Sequence, residues 1–153
     1  MVERFKRFSL AIAEIDRYWH RIAGDEMEKY GLKATHSVYL LSMLDHPQGL
    51  TAARLGEVCG KDKADVSRMV SILEKHGLIC KQGVSGSQYR ASLQLTQTGR
   101  EAAQKVRNRA GLAVELASQG ISEEDRAALY RSLETIVSNL QLLSQSGLPT
   151  GEA

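Results

Sequence analysis

The chain is 153 residues long, 42% hydrophobic and 25% charged, which fits one globular domain, or one compact domain carrying terminal extensions, and excludes an intrinsically disordered one. Its formal net charge is only +2, and it has two prolines and few aromatics, so helices are favoured over an all-β fold and charge alone announces no nucleic acid. No run approaches the ~20 apolar residues that span a bilayer; residues 1–16 lack an apolar core ending in a small-residue cleavage site; Cys59 and Cys80 make no disulfide framework, and the cytoplasm is the expected compartment.

Phe5, Phe8, Ile12, Ile15, Trp19 and Ile22 recur at steps of three and four, which predicts a helix with one apolar seam, ending near Tyr30 where Gly31 supplies a stop. Thr35 is placed to cap a helix that runs through Leu44, ahead of His46-Pro47. Thr51 caps a short helix to Val58, with Leu55 and Val58 facing inward. Cys59-Gly60-Lys61 breaks it, and Asp62 caps the next helix, with Asp65 at the capping-box position and Gly77 at its end. Two helices joined by a tight turn containing glycine make a helix-turn-helix. Leu78-Ile79-Cys80 then starts a strand, and Tyr89, Ala91, Leu93 and Leu95 alternate with polar residues beyond a Gly/Ser-rich tip. That is a β-hairpin, so the middle of the chain reads as a winged helix. Thr98 with Glu101 opens a further helix whose stripe is Ala103, Val106, Ala110, Ala113 and Ala117. Ser122 with Asp125 opens the last, whose seam is Leu129, Leu133, Ile136, Leu140 and Leu143. The terminal seams suit either an intramolecular bundle or a dimer of interlocked helices, and the dimer is preferred because two-fold homodimers are the commonest assembly.

The mild net charge conceals a gradient. Residues 51–100 hold eight basic and four acidic side chains, net +4, whereas residues 1–50 balance and residues 101–153 are net −2. On the helix 62–76, Val66, Met69, Val70 and Leu73 share the inward face; Ala64, Arg68, Ser71 and Lys75 share the opposite one, flanked by Asp65 and Ser67. This is what a recognition helix needs. Arginine can grip guanine O6 and N7 with two hydrogen bonds, Ser67 and Ser71 can bond bases or phosphates, and Ala64 leaves room for a thymine methyl. Asp65 has three open readings: accepting from cytosine N4, capping the helix, or orienting Arg68. Lys61, Lys63 and Lys75 are expected near the phosphate backbone, where they add salt-dependent affinity without sequence information, and Thr51 is counted among the DNA-binding residues.

Gly31-Leu32, Gly49-Leu50-Thr51, Leu55, Val66-Ser67-Arg68, Leu73-Glu74, Gly77-Leu78-Ile79 and Leu95-Thr96-x-x-Gly99 resemble the MarR family of bacterial transcriptional regulators, over nearly the whole chain from about Phe5 to Leu143. The resemblance implies a mainly α fold with a small hairpin: one MarR-like domain over 1–153, with dimerisation helices at 1–30 and 98–145 and a winged helix-turn-helix at 32–97. It implies a homodimer on a pseudo-palindromic operator, usually a repressor released by a small ligand or by oxidation. Phe5, Phe8, Ile12, Ile15, Leu133, Ile136, Leu140 and Leu143 are then the dimerisation residues. One departure stands out. The family usually places an acidic residue and an arginine at the wing tip; here the corresponding residues are Ser87, Gln88 and Tyr89, with Arg90 one place later, so the wing is expected to reach DNA through Gln88 or Arg90, or only weakly.

The resemblance also implies an effector crevice between the dimerisation helices and the winged helix, for a small aromatic or anionic molecule. Trp19, His20, His36 and Tyr39 are its candidate lining, with His36 able to pair with a carboxylate. Cys59 and Cys80 have no evident activating neighbour except Lys81. Cys59, His76 and Cys80 offer three zinc ligands without the fourth that structural sites require, so no metal and no cofactor are expected. No phosphate loop, nucleophile elbow or His-Glu-x-x-His occurs, and no enzyme activity is expected. The alternative to a regulator is a winged helix that binds a ligand or protein, with its DNA binding weakened.

Overall fold

The computed structural model describes residues 2–83 and 91–147, without the side chains of Val2 and Phe5. The chain divides into two compact units, Met1–Ala113 and Val114–Ala153, and each is described by itself.

The first unit opens with helix α1, Val2–Met27. Most of it is exposed, and only Glu26 and Met27 at its end are buried. A 3₁₀ turn, Glu28–Tyr30, follows and is closed by Gly31 at φ 70°. A second 3₁₀ turn, Ala34–His36, leads into α2, Ser37–Leu44. Thr35 therefore caps nothing: it lies inside the turn, and the backbone N–H of Lys33 donates instead to His36 Nδ1 at 2.8 Å. Then come α3, Ala52–Cys59, and α4, Lys63–Lys75. The antiparallel hairpin pairs β1, Ile79–Gln82, with β2, Ser92–Leu95, in the register Ile79↔Leu95 to Gln82↔Ser92. Leu50 adds a bridge to Leu93 on the far side of β2.

The core lies where these elements meet. Met27 of α1, Tyr39, Leu40 and Met43 of α2, Leu55 of α3, and Val66, Val70 and Leu73 of α4 are buried with Ile79, Leu93 and Leu95 of the hairpin. Each such side chain contributes roughly 1.5–3 kcal/mol by leaving water. Val58 departs from the expected inward face. It is exposed, and the helix packs through Leu55, Gly56 and the half-buried Cys59 instead.

Helix α5, Gln97–Ala117, is locked to the hairpin at its first turn. Thr96 Oγ1 accepts from Gly99 N at 3.0 Å and donates to the Gly77 carbonyl at 2.7 Å. The cap is thus Thr96, not Thr98. Gly99 packs so tightly that a Cβ there would run into the Leu78 carbonyl. Ala102, Ala103 and Val106 complete the core. Of the small stripe, Ala103 and Val106 are buried, while Ala110 and Ala113 are half-buried. Glu26, almost fully buried, sits 2.6 Å from Lys29 Nζ and 3.6 Å from Arg109 Nε, which ties α1 to α5 by a paired charge.

The second unit holds the end of α5 and helix α6, Glu123–Ser146. Ser122 Oγ accepts from Asp125 N at 3.1 Å and donates to the Asp125 carboxylate at 2.7 Å. Three acidic residues in the first turn suit the positive end of the helix dipole. No residue of α6 is buried. Among the described residues, no helix is long and apolar enough to cross a membrane.

Candidate nucleic-acid interface

Helix α4 is fixed at both ends by its own sequence. Asp62 Oδ1 accepts from Asp65 N at 2.8 Å at the start, and Gly77 takes φ 68° just past the end. Gly60 at φ 62° turns the chain sharply between α3 and α4. Thr51 Oγ1 is engaged as the cap of α3, accepting from Arg54 N at 3.2 Å. Val66, Val70 and Leu73 are buried and Met69 is half-buried, so the rotation of α4 is set by its apolar side. Ala64, Ser67, Arg68, Ser71 and Lys75 are consequently all exposed, as are Lys61 and Lys63. Ser71 Oγ donates back to the Ser67 carbonyl at 3.0 Å. Lys81 on β1 pairs with Glu74 at 2.7 Å, leaving that side of α4 less anionic.

Asp65 behaves differently from the rest of the row. It is half-buried, and its carboxylate does not complete a reciprocal capping box. Its Oδ2 accepts from Tyr39 Oη at 3.1 Å, and its Oδ1 lies 3.5 Å from Arg68 Nη2. Burial first, and the neighbouring carboxylate second, push the Tyr39 hydroxyl well above its ordinary range, so it stays protonated and donating.

Beneath this helix a cavity of about 490 Å³ opens in the first unit, and Trp19, His20 and Tyr39 line it. Ala23, Val38 and Met69 add to its apolar wall, and Asp16, Lys61 and Asp65 to its polar one. His20 Nδ1 lies 3.2 Å from Asp16 Oδ1. Lys61 has no carboxylate partner among the described residues. Cys59 also lines the cavity, and its thiol donates to Ser42 Oγ at 3.4 Å. His36, expected in the crevice, is not part of it. It is buried, its Nδ1 is committed to the Lys33 backbone, and burial holds its pKa below the ordinary imidazole value. That Cys59, Lys61 and Asp65 also line this cavity is not legible in the sequence, because the lining comes from segments far apart in the chain. Among the described residues, no three metal-ligating side chains cluster, so Cys59, His76 and Cys80 are not brought together. Gln88 and Arg90, the expected wing contacts, lie outside the described residues.

Of the apolar residues expected at a dimer contact, Phe8, Ile12, Ile15 and Leu140 are exposed, and the side chain of Phe5 lies outside the described residues. Leu10 and Tyr18 on α1 are exposed as well. On α6, Leu140 is exposed with Leu129, Tyr130, Val137 and Leu142, while Leu133, Ile136 and Leu143 are half-buried.

Residues 30–91 match the sequence model described as the MarR family. No curated protein matches the chain. Among solved structures, a Listeria monocytogenes protein assigned to the MarR family of transcriptional regulators, in complex with a 26mer DNA, is similar at 22% identity and TM-score 0.76, over 92% of this chain and 95% of that one. The transcriptional regulator SlyA is similar at 21% identity and TM-score 0.77, over 87% and 93%. The S. aureus MepR–DNA complex is similar at 19% identity and TM-score 0.77, over 87% and 97%. The shared fold is the winged helix with flanking helices.

Proposed function

We propose that the chain is a MarR-type, sequence-specific DNA-binding transcriptional regulator that works as a homodimer, a reading supported by the match of residues 30–91 to the MarR family model. The observation that carries this reading is the outward row Ala64, Ser67, Arg68, Ser71 and Lys75 on a capped, rotationally fixed α4. Two relatives of the same fold were solved on DNA. In this reading Arg68 presents its guanidinium fork to a base edge, and Ser67 and Ser71 supply short hydroxyls beside it. Lys61, Lys63 and Lys75 meet phosphates and set register and salt dependence.

The exposed apolar rows on α1 and α6 support the homodimer. Rows of exposed apolar side chains of this kind suit an interface with a second copy. A two-fold dimer places two recognition helices about one helical turn apart, ~34 Å, on a pseudo-palindromic site.

The cavity supports a response to a small ligand, and we read the regulator as a repressor that such a ligand releases. Trp19 offers a flat apolar face, and Lys61 is the cation that an anionic aromatic effector would use. Because Lys61 lies in the turn ahead of α4, a ligand gripping it acts directly on the recognition helix. No cofactor and no catalysis enter this reading. Binding to duplexes drawn from a random pool tests it: a recovered consensus with inverted-repeat symmetry supports a dimeric reader, and recovery of no consensus contradicts it.

A further inference from the structure

Arg68 is the base-reading residue of the proposed function, and a long exposed arginine is a poor reader unless something aims it. Its rotamer freedom is large, and a surface ion pair alone holds it weakly. The side chain that aims it must itself be fixed. Asp65 is the only carboxylate among the described residues within ion-pair distance of Arg68, at 3.5 Å. One turn of helix separates the two, the spacing at which side chains meet.

What fixes Asp65 comes from another helix. Tyr39 is buried to 1% exposure in the core and is one of the residues lining the cavity. Its hydroxyl donates to Asp65 Oδ2 at 3.1 Å. The two carboxylate oxygens are therefore divided, Oδ2 to the core tyrosine and Oδ1 to the guanidinium. A carboxylate free to rotate would offer Arg68 either oxygen in many orientations, whereas one anchored by a buried donor offers a single direction.

We propose that Tyr39 is a specificity-determining positioning residue, acting through Asp65 to aim Arg68 at the major groove. The inference rests on the DNA-reading role of Arg68. With Nη2 held by Asp65, the remaining N–H groups of the fork stay available for guanine O6 and N7. The hydrogen bond is worth little to binding strength as such; its effect is on which base is accepted.

The test compares wild type, Tyr39→Phe, Arg68→Ala and the double variant on the duplex selected from a random pool, on its single-base-pair variants and on a scrambled duplex. Tyr39→Phe removes only the hydroxyl and keeps the buried ring. It is expected to leave binding to the scrambled duplex and its salt dependence unchanged, and to lose roughly threefold to tenfold in discrimination at the base pair that Arg68→Ala also relaxes. In the Arg68→Ala background it is expected to change nothing further, as coupling through one shared partner requires. Asp65→Asn approaches from the other side, keeping an acceptor for Tyr39 but no charge for Arg68, and is expected to relax the same position. Discrimination at that position equal to wild type in Tyr39→Phe, or a loss spread evenly over all positions and the scrambled duplex, overturns the inference while leaving the regulator reading intact. A wild-type protein that selects no duplex overturns both.

Discussion

Arg68 and Lys75 stand on one exposed face of α4 but are expected to do different things. Arg68→Ala should cost ~1–3 kcal/mol at one base-pair position per half-site, because a bidentate contact to a base edge is lost. Lys75→Ala should weaken binding evenly across sequences and lower the salt slope by about one, because a phosphate contact is lost. Anisotropy titrations on matched and mismatched duplexes separate the two. A uniform loss for Arg68→Ala would remove it from base readout. His36 makes a second residue-scale prediction. Burial lowers its pKa in the folded state, so the unfolded chain binds the proton more readily. Its contribution to stability is then fully present above the ordinary imidazole value of about 6.5 and is lost as pH falls through the folded value. His36→Asn keeps an acceptor for the Lys33 N–H and removes the titration. Its melting temperature should fall less than wild type between pH 7.5 and pH 5. Parallel curves would assign the acid sensitivity to other groups.

At the scale of elements, the first turn of α5 is a tight joint with the start of the hairpin. Gly99→Ala would drive a methyl into the Leu78 carbonyl. The expected result is a loss of several kcal/mol in urea unfolding, the overpacking cost with no flexible neighbour to yield. Thr96→Val removes a hydroxyl that serves two backbone partners, and a smaller loss of ~1–2 kcal/mol is expected. A Gly99→Ala protein as stable as wild type would show that this joint yields.

Much of this level was legible in the sequence. Thr51, Asp62 and Ser122 do cap α3, α4 and α6, because an N-cap is a local matter of one side chain and the next turn. The rotation of α4 was legible for a similar reason, since four apolar residues leave one way to bury it. The misses share a different cause. Thr96 and Thr98 both precede an acceptable partner three residues on, and only the hydroxyl's second bond to Gly77 chooses between them. Thr35 gave way to a histidine cap, which no capping pattern announces. Val58 and Cys59 are neighbours on an eight-residue helix, and the packing of other elements decided which one turned inward. The Tyr39–Asp65 bond spans 26 residues, so it belongs to the tertiary structure and leaves no local trace.

At the scale of the whole molecule, the apolar side chains left open on the terminal helices call for a partner. α1 exposes Phe8, Leu10, Ile12 and Ile15, and α6 exposes Leu129, Val137, Leu140 and Leu142. Covering such rows in a two-fold dimer removes them from water at ~25 cal/mol per Å². Light scattering should therefore return twice the chain mass at micromolar concentration. Ile12→Glu or Leu140→Glu should shift that mass toward the monomer and weaken operator binding in step, because each half-site alone is a poor target. A wild-type mass equal to one chain would contradict the dimer.

The proposed role of this winged helix depends on its reading sequence. The measurement closest to it is fluorescence anisotropy with the DNA immediately upstream of the protein's own coding sequence and with a scrambled duplex, each titrated across salt. A sequence-reading regulator shows ~10³-fold or greater preference for the first, and the preference survives as salt lowers both affinities. Equal and steeply salt-dependent binding to the two duplexes would contradict it, leaving a basic surface on a winged helix that does not discriminate.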